Sequence, residues 1–217
     1  MNWFDRIVLL LTGLTAVYLV VRFYGRFQEK KTRYDIFYMI AFVVLFVSGV
    51  LLIIGGWDVL KSPYVLTVAT LIPLGITMGL MCQFLPQYKK IYAVFAIVGF
   101  IAIAVSSIGD MDTLRRISVP VFHGTSGMII FLLPLYRCYK KIAPRGFAMV
   151  GIGGMLIGIG GMALAFVVSG KQLLFFSEEV ILTILAPLLL LMALAYTWGF
   201  VKDIKYGDDF YGDDSAS

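Results

Sequence analysis

Seven stretches of this chain are apolar, and between their end turns none carries an Asp, Glu, Lys or Arg. They run over 3–23, 36–57, 63–85, 91–109, 117–136, 146–169 and 180–201. Each is close to the roughly 20 residues an α-helix needs to cross about 30 Å of hydrocarbon. Inside a bilayer the backbone has no water to bond with, so such stretches must satisfy themselves as helices. Hydrophobic residues make up 60% and charged ones 14% of the 217 residues, a surface that a soluble domain could not solvate. The expected fold is all-α: a seven-helix transmembrane bundle over 1–205, followed by an acidic tail at 206–217 with the composition of a disordered segment.

Loop charge sets the expected orientation. Of the 18 Lys and Arg residues, thirteen follow spans one, three, five and seven, among them Arg22, Arg26, Lys30, Lys89, Arg137, Lys141 and Lys202. The other five are Arg6, Lys61, Arg115, Arg116 and Lys171. Positive charge is retained in the cytoplasm, which puts the N-terminus outside and the C-terminus inside. The net charge of +5 lies between apolar spans, so it reads as loops facing anionic lipid and not as nucleic-acid binding. Cys82 and Cys138 form no disulfide framework. No Asn-x-Ser/Thr sequon is present, and with the compact length this points to a prokaryotic cytoplasmic membrane.

Span six repeats itself, Gly151-Ile152-Gly153-Gly154-Met155 and then Gly158-Ile159-Gly160-Gly161-Met162. Gly151, Gly154, Gly158, Gly161 and Ala165 alternate steps of three and four and form one seam free of side chains on a helix. Small residues at this spacing let a neighbouring membrane helix approach closely. Gly153 and Gly160 point to a second face, so neighbours are expected on two sides, with this helix at the packed centre. A weaker repeat joins spans three and five: Ile72-Pro73 leads to Leu85-Pro86-Gln87-Tyr88, and Val119-Pro120 leads to Leu133-Pro134-Leu135-Tyr136.

The charge-free spans exclude several functions. Proton relays, coupled carriers and voltage sensors need ionisable groups at depth. A retinal Schiff base needs a lysine inside a helix. A bis-histidine haem needs a second histidine, and there is only His123. No metal-ligand or phosphate-loop motif stands in the chain. Leu85-Pro86-Gln87 resembles the Pro-Gln motif of the PQ-loop sugar and amino-acid carriers, over three residues at one place. That family carries the motif in the first helix of each of two repeats, and span one here has no counterpart, so no residue is carried over.

Polar groups concentrate in the outer half: His123, Thr125 and Ser126 in span five, Ser106, Ser107 and Asp110 closing span four, Thr67 and Thr70 opening span three, and Glu178, Glu179 and Thr183 at the start of span seven. In a compact ring they would face one vestibule. A ligand site there would use His123, Thr125, Ser126, Ser107, Thr70, Glu178 and Glu179. The competing reading is that His123 bonds a hydroxyl on a neighbouring helix and ties the bundle together. No catalytic pair and no metal site is expected. The function expected is an accessory or scaffold subunit of a larger membrane complex, with a membrane-protein partner or a homo-oligomer. The alternative is a carrier or receptor for a small uncharged ligand (a quinone, a lipid or a pigment such as a carotenoid) around His123. A haem held by this one histidine is a further option the residues leave open.

Overall fold

In the computed structural model, residues 1–168 and 178–211 are described, with the side chains of 1–161 and 179–210. Among them every regular element is helical. In chain order these are α1 (Trp3–Lys30), α2 (Tyr34–Gly55), α3 (Pro63–Ala69), α4 (Leu71–Phe84), α5 (Lys89–Ile108), α6 (Asp112–Ser118), α7 (Gly124–Tyr139), α8 (Ala148–Val168), α9 (Glu178–Tyr206) and α10 (Asp208–Tyr211). Among the described residues six helical segments are long and apolar enough to cross a membrane: 3–30, 34–55, 63–84, 86–108, 112–139 and 179–206. Their outward faces carry exposed Leu10, Val21, Ile40, Val94, Ile101 and Leu132, the surface that lipid requires. The chain is an integral membrane protein.

Local chemistry explains the breaks. Asn2 caps α1 reciprocally: its side chain accepts from the Asp5 N–H at 2.8 Å, and its own N–H donates to Asp5 Oδ2 at 3.1 Å. α2 stops at Gly56, whose φ of +71° favours a residue without a Cβ. Pro73 has no N–H to give the Ala69 carbonyl, and the third span breaks there into α3 and α4. Pro120 acts in the same way in the fifth span, where Val119–His123 opens into a π-helical turn between α6 and α7. The two prolines matched in sequence thus mark the two interrupted spans.

α1, α2, α4, α7, α8 and α9 pack in sequence around a ring, α9 closing back on α1. α5 stands outside it, against α3, α4 and α6. The space between the ring helices is filled by Phe23, Tyr38, Phe42, Ile76, Leu80, Ile130, Phe147, Tyr196 and Phe200, all fully buried. Phe200 touches the rings of Phe23, Tyr38, Phe42, Phe147 and Tyr196, at centroid separations of 4.8–6.1 Å.

This arrangement corrects the expectation of a glycine helix at the packed centre. α8 is one member of the ring, between α7 and α9. A face without side chains brings backbones together but contributes little buried mass, so the centre belongs to the aromatic residues of α1, α2 and α9. Two other boundaries differ from the expected ones. α1 runs on to Lys30 and α9 to Tyr206, and each added stretch carries one buried charge, Arg26 or Asp203, that pairs with the other inside the bundle. The segment expected to be a disordered tail begins as helix: Asp208–Tyr211 forms α10, and Asp208 pairs with Lys30. Residues 212–217 lie outside the described residues.

Candidate functional site

Three polar assemblies stand out, and the first was not foreseen. Arg26, near the end of α1, is only 4% exposed, and Asp35 and Asp203 have fully buried side chains. The Arg26 Nε donates to Asp35 Oδ1 at 2.9 Å, and Nη2 donates to the same oxygen. Nη1 donates to Asp203 Oδ2 at 2.7 Å. Gln83 at the end of α4 donates Nε2 to both Asp203 oxygens, at 3.1 and 3.0 Å. The Tyr38 hydroxyl donates to Gln83 Oε1 at 2.8 Å, and Thr32 donates to Asp35 Oδ2. The guanidinium lies over the Phe23 ring at 5.5 Å and the Tyr34 ring at 5.0 Å. One cation thereby ties α1 to α2 and to α9, and Gln83 adds α4.

A buried charge survives only when paired and hydrogen-bonded, and each named group here is. The reading of Arg26 as a loop charge is corrected: it is a packed member of the bundle. Arg26 alone gives little warning. The available signal was acidic, because Asp35 and Asp203 each stand at the edge of an apolar span on the side richest in Lys and Arg.

The second assembly joins three helices around Ser126. Its hydroxyl donates to the Phe122 carbonyl at 2.8 Å, so the Tyr92 hydroxyl, also at 2.8 Å, must donate to it. The Thr77 hydroxyl donates to the Ser126 carbonyl at 3.1 Å. α4, α5 and α7 are stitched together where Pro120 has loosened α7. His123, one turn above, is half-buried, and its Nδ1 is buried with no partner among the described residues.

The third assembly is a cleft of about 390 Å³ at the α1 N-terminus, lined by Met1, Asn2, Asp5, Trp57, Glu179, Leu182 and Thr183. Asp5 and Asn2 were not foreseen as lining residues; Asp5, placed three residues after the N-cap, reads as a capping group.

The residues expected around one vestibule are distributed as follows. Glu179 lines the cleft; His123, Thr125, Ser126, Ser107 and Thr70 do not. Ser126 belongs to the hydroxyl assembly, and Thr125 is exposed. Thr70 is buried and donates to the Leu66 carbonyl of its own helix. Ser107 is buried, and its hydroxyl has no partner among the described residues. The Glu178 side chain lies outside the described residues.

In the glycine seam, a Cβ at Gly151 would come 2.6 Å from the Phe131 carbonyl, and one at Gly154 would come 2.7 Å from Ile130 Cγ2, both on α7. Cβ atoms at Gly153 and Gly160 would strike Tyr196 and Leu188 of α9. Gly158 and Gly161 meet nothing within 4 Å among the described residues. The Ala165 side chain lies outside the described residues. The two faces of α8 therefore serve two neighbours, and the α7 seam is tight in its first half and open in its second.

Among the described residues no group of three or more His, Cys, Asp or Glu side chains could hold a metal ion. Among known proteins, no family model matches this chain, and neither does any curated protein or solved structure.

Proposed function

We propose that this chain is a non-catalytic subunit or scaffold of a larger membrane assembly. In this reading it crosses a prokaryotic cytoplasmic membrane seven times, with its N-terminus outside. The observation that carries the proposal is the Arg26 cluster. Its charges are spent on clamping α1, α2, α4 and α9, and they are buried from solvent. The aromatic filling of the ring supports the same reading, since it leaves rigid walls whose outward faces can meet another membrane protein. Seven crossings are supported by α8, a 21-residue apolar helix held between α7 and α9. The orientation is supported by the thirteen basic residues on the side of the Arg26 cluster.

Extraction of the tagged chain in a mild detergent, followed by native mass spectrometry, tests the proposal. A partner, or a second copy, at fixed stoichiometry is the expected result. A lone chain carrying a bound small molecule would overturn it.

A second reading, a carrier for an uncharged ligand, has one observation in its favour. Among the described residues His123 Nδ1 is buried without a partner, and Cβ positions at the nearby Gly124 and Gly127 meet nothing within 4 Å. An absorption spectrum of the purified chain would reveal a haem or a carotenoid. His123→Ala would abolish that spectrum if the carrier reading holds.

A further inference from the structure

The cleft at the α1 N-terminus holds a carboxylate that the fold does not fully use. Asp5 is only 4% exposed. Oδ2 accepts the Asn2 N–H, but Oδ1 is buried and meets no donor among the described residues. An ionised oxygen held away from water without a partner is costly, and folds do not retain one without compensation. The adjacent cation, Arg6, does not supply it, since its guanidinium lies over the Trp3 ring, 5.7 Å from the centroid, and Met1, which also lines the cleft, makes no ion pair with Asp5 among the described residues. Around Asp5 the cleft presents a second carboxylate, Glu179, the indole of Trp57 and the apolar wall of Leu182.

We propose that this cleft binds a small organic ammonium group. The positive charge would pair with Asp5 and Glu179, while its methyl or methylene groups would lie against Trp57 and Leu182. Aromatic faces combined with carboxylates suit ammonium ions, whereas Mg²⁺ or Ca²⁺ needs a shell of oxygen ligands. The same chemistry is found in a free amine and in an ethanolamine or choline lipid headgroup. The site does not depend on the scaffold reading, because it lies at the opposite end of α1 from the Arg26 cluster.

The test uses the full chain with Trp3→Phe and Trp198→Phe, so that Trp57 is the only tryptophan, excited at a wavelength tyrosine does not absorb. It is placed in nanodiscs of phosphatidylglycerol, which lack ammonium headgroups. Titration with tetramethylammonium chloride or ethylammonium chloride should change Trp57 fluorescence in a saturable way, while sodium chloride should not. Asp5→Asn should weaken binding roughly tenfold or more, and Glu179→Gln several-fold. If a lipid headgroup is the occupant, nanodiscs containing phosphatidylethanolamine should show the changed fluorescence from the start and resist further titration. If a free amine is the occupant, both lipid compositions should titrate alike. Because Glu179 is exposed, its variant keeps the test decisive should Asp5→Asn fail to fold. The proposal is overturned if neither ammonium salt nor lipid headgroup changes the fluorescence. It is equally overturned if both variants bind as the parent does, or if Ca²⁺ or Mg²⁺ displaces the ammonium at lower concentration.

Discussion

Arg26 and Asp203 lie 177 positions apart in the chain and meet at 2.7 Å, the first and last long helices joined by one charge-assisted hydrogen bond. The contact closes the ring, since α9 has to return to α1 for the two side chains to touch. It also explains why both helices run past the apolar stretches that define them in the sequence. The added turns carry Arg26 and Asp203, whose mutual pairing makes burial of these turns tolerable.

The glycines of α8 should divide by position. Gly154→Ala puts a methyl 2.7 Å from Ile130 Cγ2 and 3.1 Å from backbone, so α7 and α8 must separate. A loss of about 1–3 kcal/mol is expected, the usual cost of overpacking. Gly158→Ala and Gly161→Ala enter open space and improve helix propensity, with an expected change between zero and about 1 kcal/mol of gain. Unfolding midpoints in mixed micelles would distinguish the two groups.

The hydroxyl assembly should contribute modestly. Tyr92→Phe removes the donor to Ser126 and leaves the ring in place, and a loss of about 0.5–1 kcal/mol is expected. Ser126→Ala removes two bonds, its own to Phe122 and the one it accepts, and should cost more than Tyr92→Phe. The same unfolding assay measures both.

Sidedness is open to a direct check. In a background with Cys82→Ser and Cys138→Ser, single cysteines at Asp110 and at Lys141 should label from opposite sides of the membrane with an impermeant maleimide. Labelling at Lys141 should require access to the cytoplasmic face. Labelling of both from the same side would remove the proposed topology.

The apolar spans were legible in the sequence because hydropathy over some 20 residues is a strong local signal. Pro73 and Pro120 were legible as disturbances, but whether each gives a break or a π-helical turn depends on neighbours that sequence does not order. The contrast between the two faces of α8 could be read from the spacing of Gly151 and Gly153. The Arg26 cluster could not, since a charge at the end of a span looks the same whether it enters water or a packed interior. The single outer vestibule was expected for a related reason. Position along a helix gives depth, but the rotation of each helix decides which polar groups meet. Here rotation and the outlying α5 assign Ser126 and Glu179 to different assemblies.

The clamp itself is tested most directly by comparing a broken cluster with an erased one. Arg26→Met leaves Asp35 and Asp203 buried without their cation, and should lower unfolding stability in micelles by about 3–5 kcal/mol. Arg26→Met combined with Asp35→Leu and Asp203→Leu removes the charges together, and should recover most of that loss. Equal stability of Arg26→Met and the parent chain would contradict the account, because Arg26 would then be a solvated charge at a helix end and not the residue that holds α1, α2, α4 and α9 together.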